Sequence, residues 1–496
     1  MNHRLVCRIT GILLLLVAAA MAACGVFARL DPVAGDEPAM RALFQSALLS
    51  AVVGSLLVLA GGVARLGQRI PRREAVVIVG LGWLLSSAFG GLPYLLCAPG
   101  MNAAGAFFES ASGFTTTGAS VMSDIEAWPR GILLWRSVTQ WLGGIGILVL
   151  FVAVLSYLGV GSKSLFQNES SFRGGESGNA RIQDTALSIL KIYLTLSALC
   201  AMGLRAMGLS WFNAVCHTMT VVSTGGFSTH NNSVGYYSSW SNGWLIEVWL
   251  VVFMFLCSLN FLLYVVLLRK NWKRLASEED ARWLLGICLV FTLLIAGGRA
   301  ISSDAEFLSS LRGTLFTVVA VVSTTGFATV DYEPWPGWAR MILVLLMLIG
   351  GCAGSTSGGL KLGRMLVFLK SARHEIVRAF RPNVVFSLKV NGNTLDSDAR
   401  ARTVFFIAMY LMIIVLSTFV MSVLEAGANV SLETCASAVL ASVSNIGPGL
   451  DAVGPMDNFG HLTPASQVFL GWLMLLGRLE LFALLVLFFP SAWRRF

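Results

Sequence analysis

The sequence predicts an all-α polytopic membrane protein, with four pseudo-symmetric repeats behind two N-terminal transmembrane helices. Three observations carry this prediction. The first is composition: the chain is 56% hydrophobic and 12% charged, with a mean hydropathy of +0.75, whereas about a quarter of a soluble domain is charged. The second is internal repetition, which fixes architecture before any local detail does. Ala320-Val321-Val322-Ser323-Thr324-Thr325-Gly326-Phe327-Ala328-Thr329 recurs upstream as Thr220-Val221-Val222-Ser223-Thr224-Gly225-Gly226-Phe227-Ser228-Thr229. Weaker copies stand at Gly113-Phe114-Thr115-Thr116-Thr117-Gly118-Ala119-Ser120 and at Ala441-Ser442-Val443-Ser444-Asn445-Ile446-Gly447-Pro448-Gly449. The aligned glycines, Gly118, Gly226, Gly326 and Gly447, are 108, 100 and 121 residues apart. The third is charge placement. The net charge of +9 does not point to nucleic acid, because the positives gather in short loops between apolar spans, as the positive-inside rule requires.

Taken in order, residues 5–29 form a first apolar run behind Arg4 and Arg8. Met21-Ala22-Ala23-Cys24 has the look of a lipoprotein cleavage site, but the run continues to Phe27 and is expected to be retained as a span. Residues 42–64 return, and Arg65, Arg69, Arg72 and Arg73 mark the cytoplasmic side. Repeat one uses 75–97, a half-helix at 101–113, a loop at 114–120 and a helix at 129–158; Lys163, Arg173 and Arg181 follow. Repeat two uses 183–207, 210–222, 223–229 and 241–268, ending at Arg269, Lys270, Lys273 and Arg274. Repeat three uses 281–301, 306–322, 323–329 and 337–369, and its inner loop carries Lys370, Arg373, Arg378, Arg381, Lys389, Arg400 and Arg402. Repeat four uses 403–425, 431–443, 444–449 and 464–490, before Arg494 and Arg495. The organisation is thus 1–72 for the two leading helices, then 73–160, 161–270, 271–375 and 376–496 for the repeats. Ten spans put every basic cluster, and both termini, on one side, with all four loops entering from the other.

Each half-helix is too short to cross a bilayer, so each loop turns at depth. Irregular backbone survives there only where it lines a wet cavity. Carbonyls and hydroxyls in such a loop replace a cation's hydration shell, as in channel selectivity filters. Gly allows the positive-φ turn that aims a carbonyl inward. The candidate ion ligands are backbone oxygens of Thr116, Thr117 and Gly118; Thr224, Gly225 and Gly226; Thr324, Thr325 and Gly326; and Asn445, Ile446 and Gly447. Each half-helix ends at its loop, so its negative dipole end favours a cation. No triplet holds a carboxylate, which argues against an acidic-ring calcium filter. The acids Asp124, Glu126, Asp304, Glu306, Asp331, Glu333, Asp451 and Asp457 fall on outer loops and read mostly as solvated surface that raises cation concentration at the mouth.

With these loops go Gln140-Trp141-Leu142-Gly143-Gly144-Ile145-Gly146, the break Gly350-Gly351-Cys352-Ala353-Gly354-Ser355-Thr356-Ser357-Gly358-Gly359-Leu360-Lys361, and Gly477-Arg478 in the last apolar segment. Together they resemble the TrkH/TrkG/KtrB superfamily of potassium-translocating subunits over nearly the whole chain, and the two leading spans resemble its TrkH branch more than the shorter KtrB. The resemblance implies a potassium-channel-like fold and potassium uptake across the bacterial inner membrane through a gated filter, as the ion-translocating subunit of a Trk-type system. It also implies a homodimer with one pore per protomer, and a separate cytosolic ring of nucleotide-binding, TrkA-like regulatory subunits. In related plant transporters Ser at the position of Gly118 goes with sodium preference, so Gly118 favours potassium.

The Gly350–Gly359 break is the second functional candidate. Glycine costs a helix interior about 1 kcal/mol against Ala, and five fall here, about halfway along an apolar run. Gly350, Gly351, Gly354, Ser355, Thr356, Gly358 and Gly359 therefore read as a loop, which the resemblance makes the gate under the filter. The other three second helices read through the same depth unbroken. Arg478 is a mid-span charge, functional by default, and the resemblance sets it below the filter against the gate. Glu480, two residues on, does not share its helix face. Glu109 and Glu247 read as structural.

Other classes find little support. Nine cysteines and five histidines form no Cys-x-x-Cys or His-Glu-x-x-His pattern, and no nucleophile–base pattern marks an enzyme. No P-loop or Rossmann fingerprint occurs, so no cofactor is expected on this chain; potassium is the substrate, and any nucleotide belongs to the separate regulatory subunit. A proton- or sodium-coupled symporter on the same fold remains the alternative, although no chain of membrane acids supports it.

Overall fold

The computed structural model describes residues 1–31, 36–62, 72–97, 100–146, 179–268, 278–302, 307–381, 389–390, 393–395 and 397–490. Arg65, Arg69, Lys163, Arg173, Arg269, Lys270, Lys273, Arg274, Asp304, Glu306, Arg494, Arg495 and the end of the 129–158 span lie outside the described residues. Among the described residues the regular structure is helical but for a two-residue antiparallel ladder, Lys389–Val390 with Asn393–Thr394.

Two long helices lead. α1 (His3–Leu30) and α2 (Glu37–Gly61) pack as a hairpin, and α1 runs unbroken through Met21–Cys24. Small residues allow the approach, as is usual where helices meet in lipid. A methyl group on Gly11 would stand 2.6 Å from the Gly54 carbonyl oxygen. The hairpin leans on repeat one, where Arg130 pairs with Asp31 at 2.9 Å.

Each repeat then has the predicted parts. Repeat one is α3 (Arg72–Gly90) with a short α4 (Leu92–Leu96), half-helix α5 (Ala103–Phe114) and α6 (Arg130–Ile145). Repeat two is α7 (Asn179–Ala206), half-helix α8 (Trp211–Val222), α9 (Gly243–Ser258) and α10 (Phe261–Leu268). Repeat three is α11 (Glu279–Ser302), half-helix α12 (Phe307–Val322), α13 (Gly337–Ile349) and α14 (Leu362–Phe380). Repeat four is α15 (Ser397–Leu424), half-helix α16 (Leu432–Val443), α17 (Pro464–Arg478) and a short α18 (Phe482–Leu485). Three of the half-helices start on side-chain caps: Asn102 accepts from the Gly105 amide, Ser210 from Asn213 and Ser431 from Thr434.

Six described helices are long and apolar enough to cross a membrane: α1, α2, α3 with α4, α7, α11 and α15. Apolar side chains such as Leu56, Leu59, Leu289, Val290, Val415 and Phe419 stand exposed along them, a surface suited to lipid. The expectation of unbroken second helices is corrected in repeats two and four. α9 and α10 meet at a 91° bend, and α17 stops at Arg478, with Glu480 and Leu481 at positive φ. α17 ends where it is crowded by its own half-helix, a methyl group on Gly477 lying 1.9 Å from the Val443 carbonyl oxygen, and the α9–α10 bend falls at Ser258–Asn260, whose freed backbone bonds the Cys352–Gly354 segment.

The buried apolar residues form two main clusters, one joining α1 and α2 to repeats one and four, the other joining repeats two and three. Loop residues enter both, Phe114 and Ala119 the first and Phe327 and Ile446 the second. Gly11→Leu should force the hairpin apart at a cost of about 1–3 kcal/mol and lower the melting temperature in detergent by several degrees. Gly286→Leu, where an added Cβ meets nothing within 4 Å, should leave it unchanged.

Candidate functional site

All four half-helices end in the same hydrogen-bonded cap. The first triplet residue donates its N–H three residues back: Thr116 to Gly113, Thr224 to Val221, Thr324 to Val321 and Asn445 to Ser442. The second donates five residues back: Thr117 to Ser112, Gly225 to Thr220, Thr325 to Ala320 and Ile446 to Ala441. This is the Schellman pattern, which settles the last helical carbonyls and normally puts Gly or Asn in the left-handed position. Here that position holds Thr116, Thr224 and Thr324 at φ +53°, +54° and +56°, and Asn445 at +52°. A β-branched residue there is an outlier, and strain held at equivalent positions marks a functional site.

The third residue returns to positive φ: Gly118 at +86°, Gly226 at +81°, Gly326 at +72° and Gly447 at +104°. These glycines close a ring. A methyl group on Gly118 would stand 2.1 Å from the Gly225 carbonyl oxygen, and one on Gly226 would stand 1.8 Å from that of Thr325. One on Gly326 would meet the Ile446 oxygen at 1.9 Å, and one on Gly447 the Thr117 oxygen at 2.8 Å. Each repeat thus lays its glycine against the middle carbonyl of the next, and the fourth returns to the first. All twelve predicted triplet residues come together. The threonines, Asn445 and Ile446 are buried, while Gly118, Gly226 and Gly326 are partly open. The Thr116 hydroxyl is buried with no hydrogen-bond partner among the described residues.

The Gly350–Gly359 segment packs against the base of this ring. α13 stops at Ile349, and Gly350, Gly354 and Gly359 take positive φ. The Gly358 amide donates to the Thr324 hydroxyl at 2.7 Å. Thr356 Oγ1 donates to the carbonyls of Val222 and Cys257, both at 3.2 Å, and lies 3.4 Å from Thr224 Oγ1. Gly358 approaches the Ser444 carbonyl so closely that a methyl group would stand 2.4 Å from it. Ser355 turns back on the Cys352 carbonyl, and Gly351 abuts Ser357 and the Ser258 carbonyl. The loop therefore touches three of the four triplets. Its other side docks on the broken helix of repeat two: Cys352 N–H donates to Ser258, and Phe261 N–H to Gly354.

Arg478 is buried and donates from Nη1 to the Thr356 carbonyl at 2.7 Å. Glu480 pairs not with Arg478 but with Arg364, at 2.5 Å. Lys361 Nζ donates to the Ser357 carbonyl.

Two ion pairs hold the surroundings, one wholly buried and one reaching from buried Glu247 to exposed Arg312. Glu109 of α5 accepts from Arg136 of α6 at 2.7 Å, and also from the Ser120 hydroxyl and Val121 amide after the first loop. Glu247 of α9 accepts from Arg312 of α12 and from Ser238. Several outer acids that read as solvated surface in fact join neighbouring loops. Asp124 accepts from Asn231, Glu126 from His230, and Glu333 from the Asp451 amide. Hydrogen bonds from Ser431 and then Thr434 hold the Asp451 carboxyl below the ordinary range, and burial raises that of Glu333.

Sequence reasoning missed the left-handed threonines, the Gln140 side chain against the second loop, and the break at Leu259–Asn260. A polar Ser258 and Asn260 in an otherwise apolar run were the available signal for that break.

The family model described as TrkH, cation transport protein, matches residues 68–494. The chain is 34% identical to the Trk system potassium uptake protein TrkH of Halomonas elongata and 33% identical to that of Escherichia coli K12, in each case over the whole of both chains. Its fold matches the crystal structure of the potassium transporter TrkH from Vibrio parahaemolyticus with a TM-score of 0.86 and 29% identity, again over all of both chains. The chain is a multi-pass membrane protein and belongs to the TrkH family of cation transport proteins.

Proposed function

We propose that the protein is the potassium-translocating subunit of a Trk-type uptake system. Potassium passes the ring of four triplets down its electrochemical gradient and is held back by the Gly350–Gly359 loop with Arg478. The supporting observation is the closed ring, in which the middle carbonyls of Thr117, Gly225, Thr325 and Ile446 each abut a glycine of the neighbouring repeat. Carbonyls so arranged replace the hydration shell of a monovalent cation. The Trk potassium uptake function of relatives matched over their full length, and Gly118 itself, favour potassium.

The gate reading rests on position. A loop bonded to Thr324 and touching three triplets blocks the way below them, and Arg478 adds a positive charge on its Thr356 carbonyl. α14 runs from this loop to exposed Arg373, Arg378 and Arg381. A TrkA-like nucleotide-binding ring docks on that face and opens the loop by binding one of its positions more tightly than the other. The membrane is the bacterial inner membrane, with both termini cytoplasmic, a reading that the placement of the basic clusters supports. The protein works as a homodimer and carries no cofactor of its own.

In proteoliposomes, potassium flux should follow the potassium gradient alone at zero proton gradient; flux that requires a proton or sodium gradient would establish coupled symport instead. Gly118→Ser, which puts a side chain against the Gly225 oxygen, should lower the potassium-to-sodium permeability ratio roughly tenfold, the equivalent of about 1.4 kcal/mol. Reversal potentials in mixed solutions measure this, and an unchanged ratio in a conducting variant removes the triplets from selectivity.

Shortening Gly350–Gly359 should raise rubidium influx into vesicles without any partner, compared at equal reconstitution. Equal or lower influx from a folded variant would place the gate elsewhere. Neutralising Arg373, Arg378 and Arg381 together should weaken capture of the regulatory ring and make it less salt-dependent; capture that matches the wild type at low and high salt would leave these residues as topology anchors.

A further inference from the structure

The second triplet differs from the others at its middle position. Thr117, Thr325 and Ile446 carry side chains there, whereas Gly225 has none. Its backbone does not explain this, since Gly225 is not among the positive-φ residues. A neighbour does: a Cβ on Gly225 would stand 2.4 Å from the side-chain amide of Gln140. Gln140 belongs to α6 of repeat one and is wholly buried. Its Nε2 donates to the Gly225 carbonyl at 2.7 Å, and its Oε1 accepts from the Phe227 amide at 3.1 Å.

In two other repeats the middle side chain anchors the strand locally. Thr117 Oγ1 bonds Thr115 Oγ1 at 2.7 Å, and Thr325 Oγ1 bonds Ser323 Oγ at 2.8 Å. Ser223 stands at the equivalent place in repeat two and, like Thr115 and Ser323, bonds carbonyls of the preceding turn, but it has no hydroxyl at position 225 to meet. One turn earlier on the same face of α6, Arg136 donates to the Ser228 carbonyl at 3.0 Å and lies 3.8 Å over the Phe227 ring. Its charge is met by Glu109.

We infer that Gln140 is a selectivity-positioning residue: it supplies from repeat one the anchor that repeat two lacks, and its amide occupies one of the four ring carbonyls. That carbonyl offers a cation less than its three counterparts, so the ring is asymmetric by construction. The inference rests on the filter reading proposed above. Arg136 fixes the adjoining backbone so that Gln140 meets Gly225 in register.

The test is a compensation experiment on the full-length protein in bilayers, reading the potassium-to-sodium permeability ratio. Gln140→Ala removes the anchor, and Gly225→Thr adds a side chain that collides with Gln140. Each alone should change the ratio by roughly threefold to tenfold, the scale of one hydrogen bond. The double variant makes room for Thr at 225, whose hydroxyl then meets Ser223 as Thr325 meets Ser323, and should return the ratio to within about twofold of wild type.

A double variant no better than the singles overturns the inference, as do conducting singles with an unchanged ratio while Gly118→Ser changes it. If Gly118→Ser is also without effect, the filter reading itself falls, and this inference with it. Where Gln140→Ala does not fold, Gln140→Glu decides: it keeps the size and the acceptor for Phe227 but replaces the donor, so the ratio should shift, and an unchanged ratio counts against the amide.

Discussion

The constraint on which the rest of the structure depends is that four helices end inside the membrane. A helix C-terminus leaves carbonyls without partners, and hydrocarbon offers them no water. The Schellman caps at Thr116, Thr224, Thr324 and Asn445 answer this locally, turning the chain so that the last helical carbonyls are bonded. The same turn carries the following carbonyls out of the helix and into the space between repeats. There the glycines let each strand come up against its neighbour, and in the ring all four strands make that contact. The left-handed threonines cost roughly 1–2 kcal/mol each, and they place hydroxyls at the base of the ring, where Thr324 receives the Gly358 amide.

A second consequence follows for the helices behind the loops. Each must pass the end of its own half-helix, and Gly143 and Gly477 do so without room for a methyl group. The interruptions in α9 and α13 then fit into each other: the backbone released at Ser258–Asn260 bonds the backbone released at Cys352–Gly354. Two breaks thus satisfy one another's hydrogen bonds. This also gives the candidate gate its alternatives, since the Gly350–Gly359 loop is held by the ring on one side and by repeat two on the other.

Charge inside the protein is used sparingly and in pairs. Glu109 with Arg136, and Glu247 with Arg312, join a half-helix to a second helix. Removing one member of the buried Glu109–Arg136 pair strands a buried charge, at a cost of about 3–5 kcal/mol. Arg478 donates to a backbone carbonyl of the loop, that of Thr356. The nearest acid in sequence, Glu480, is taken by Arg364.

Much was legible in the sequence alone. Composition and the four Ser/Thr-Gly loops determined a membrane protein with fourfold internal symmetry, because hydropathy and repetition are properties of the chain itself. The positive φ of Gly118, Gly226, Gly326 and Gly447 was legible too, since glycine is the residue that adopts it without strain. The left-handed threonines were not, because local preference argues against Thr there and only the fourfold crowding overrides it. Nor was the bend of α9, whose sequence lacks the glycines that betray the Gly350–Gly359 break. What tertiary structure alone decided were the pairings across repeats: Gly118 with Gly225, Gln140 with Gly225, Arg478 with Thr356. These join residues from 85 to 122 positions apart, and no periodicity within a helix or loop encodes which distant strand will fill the space a missing side chain leaves.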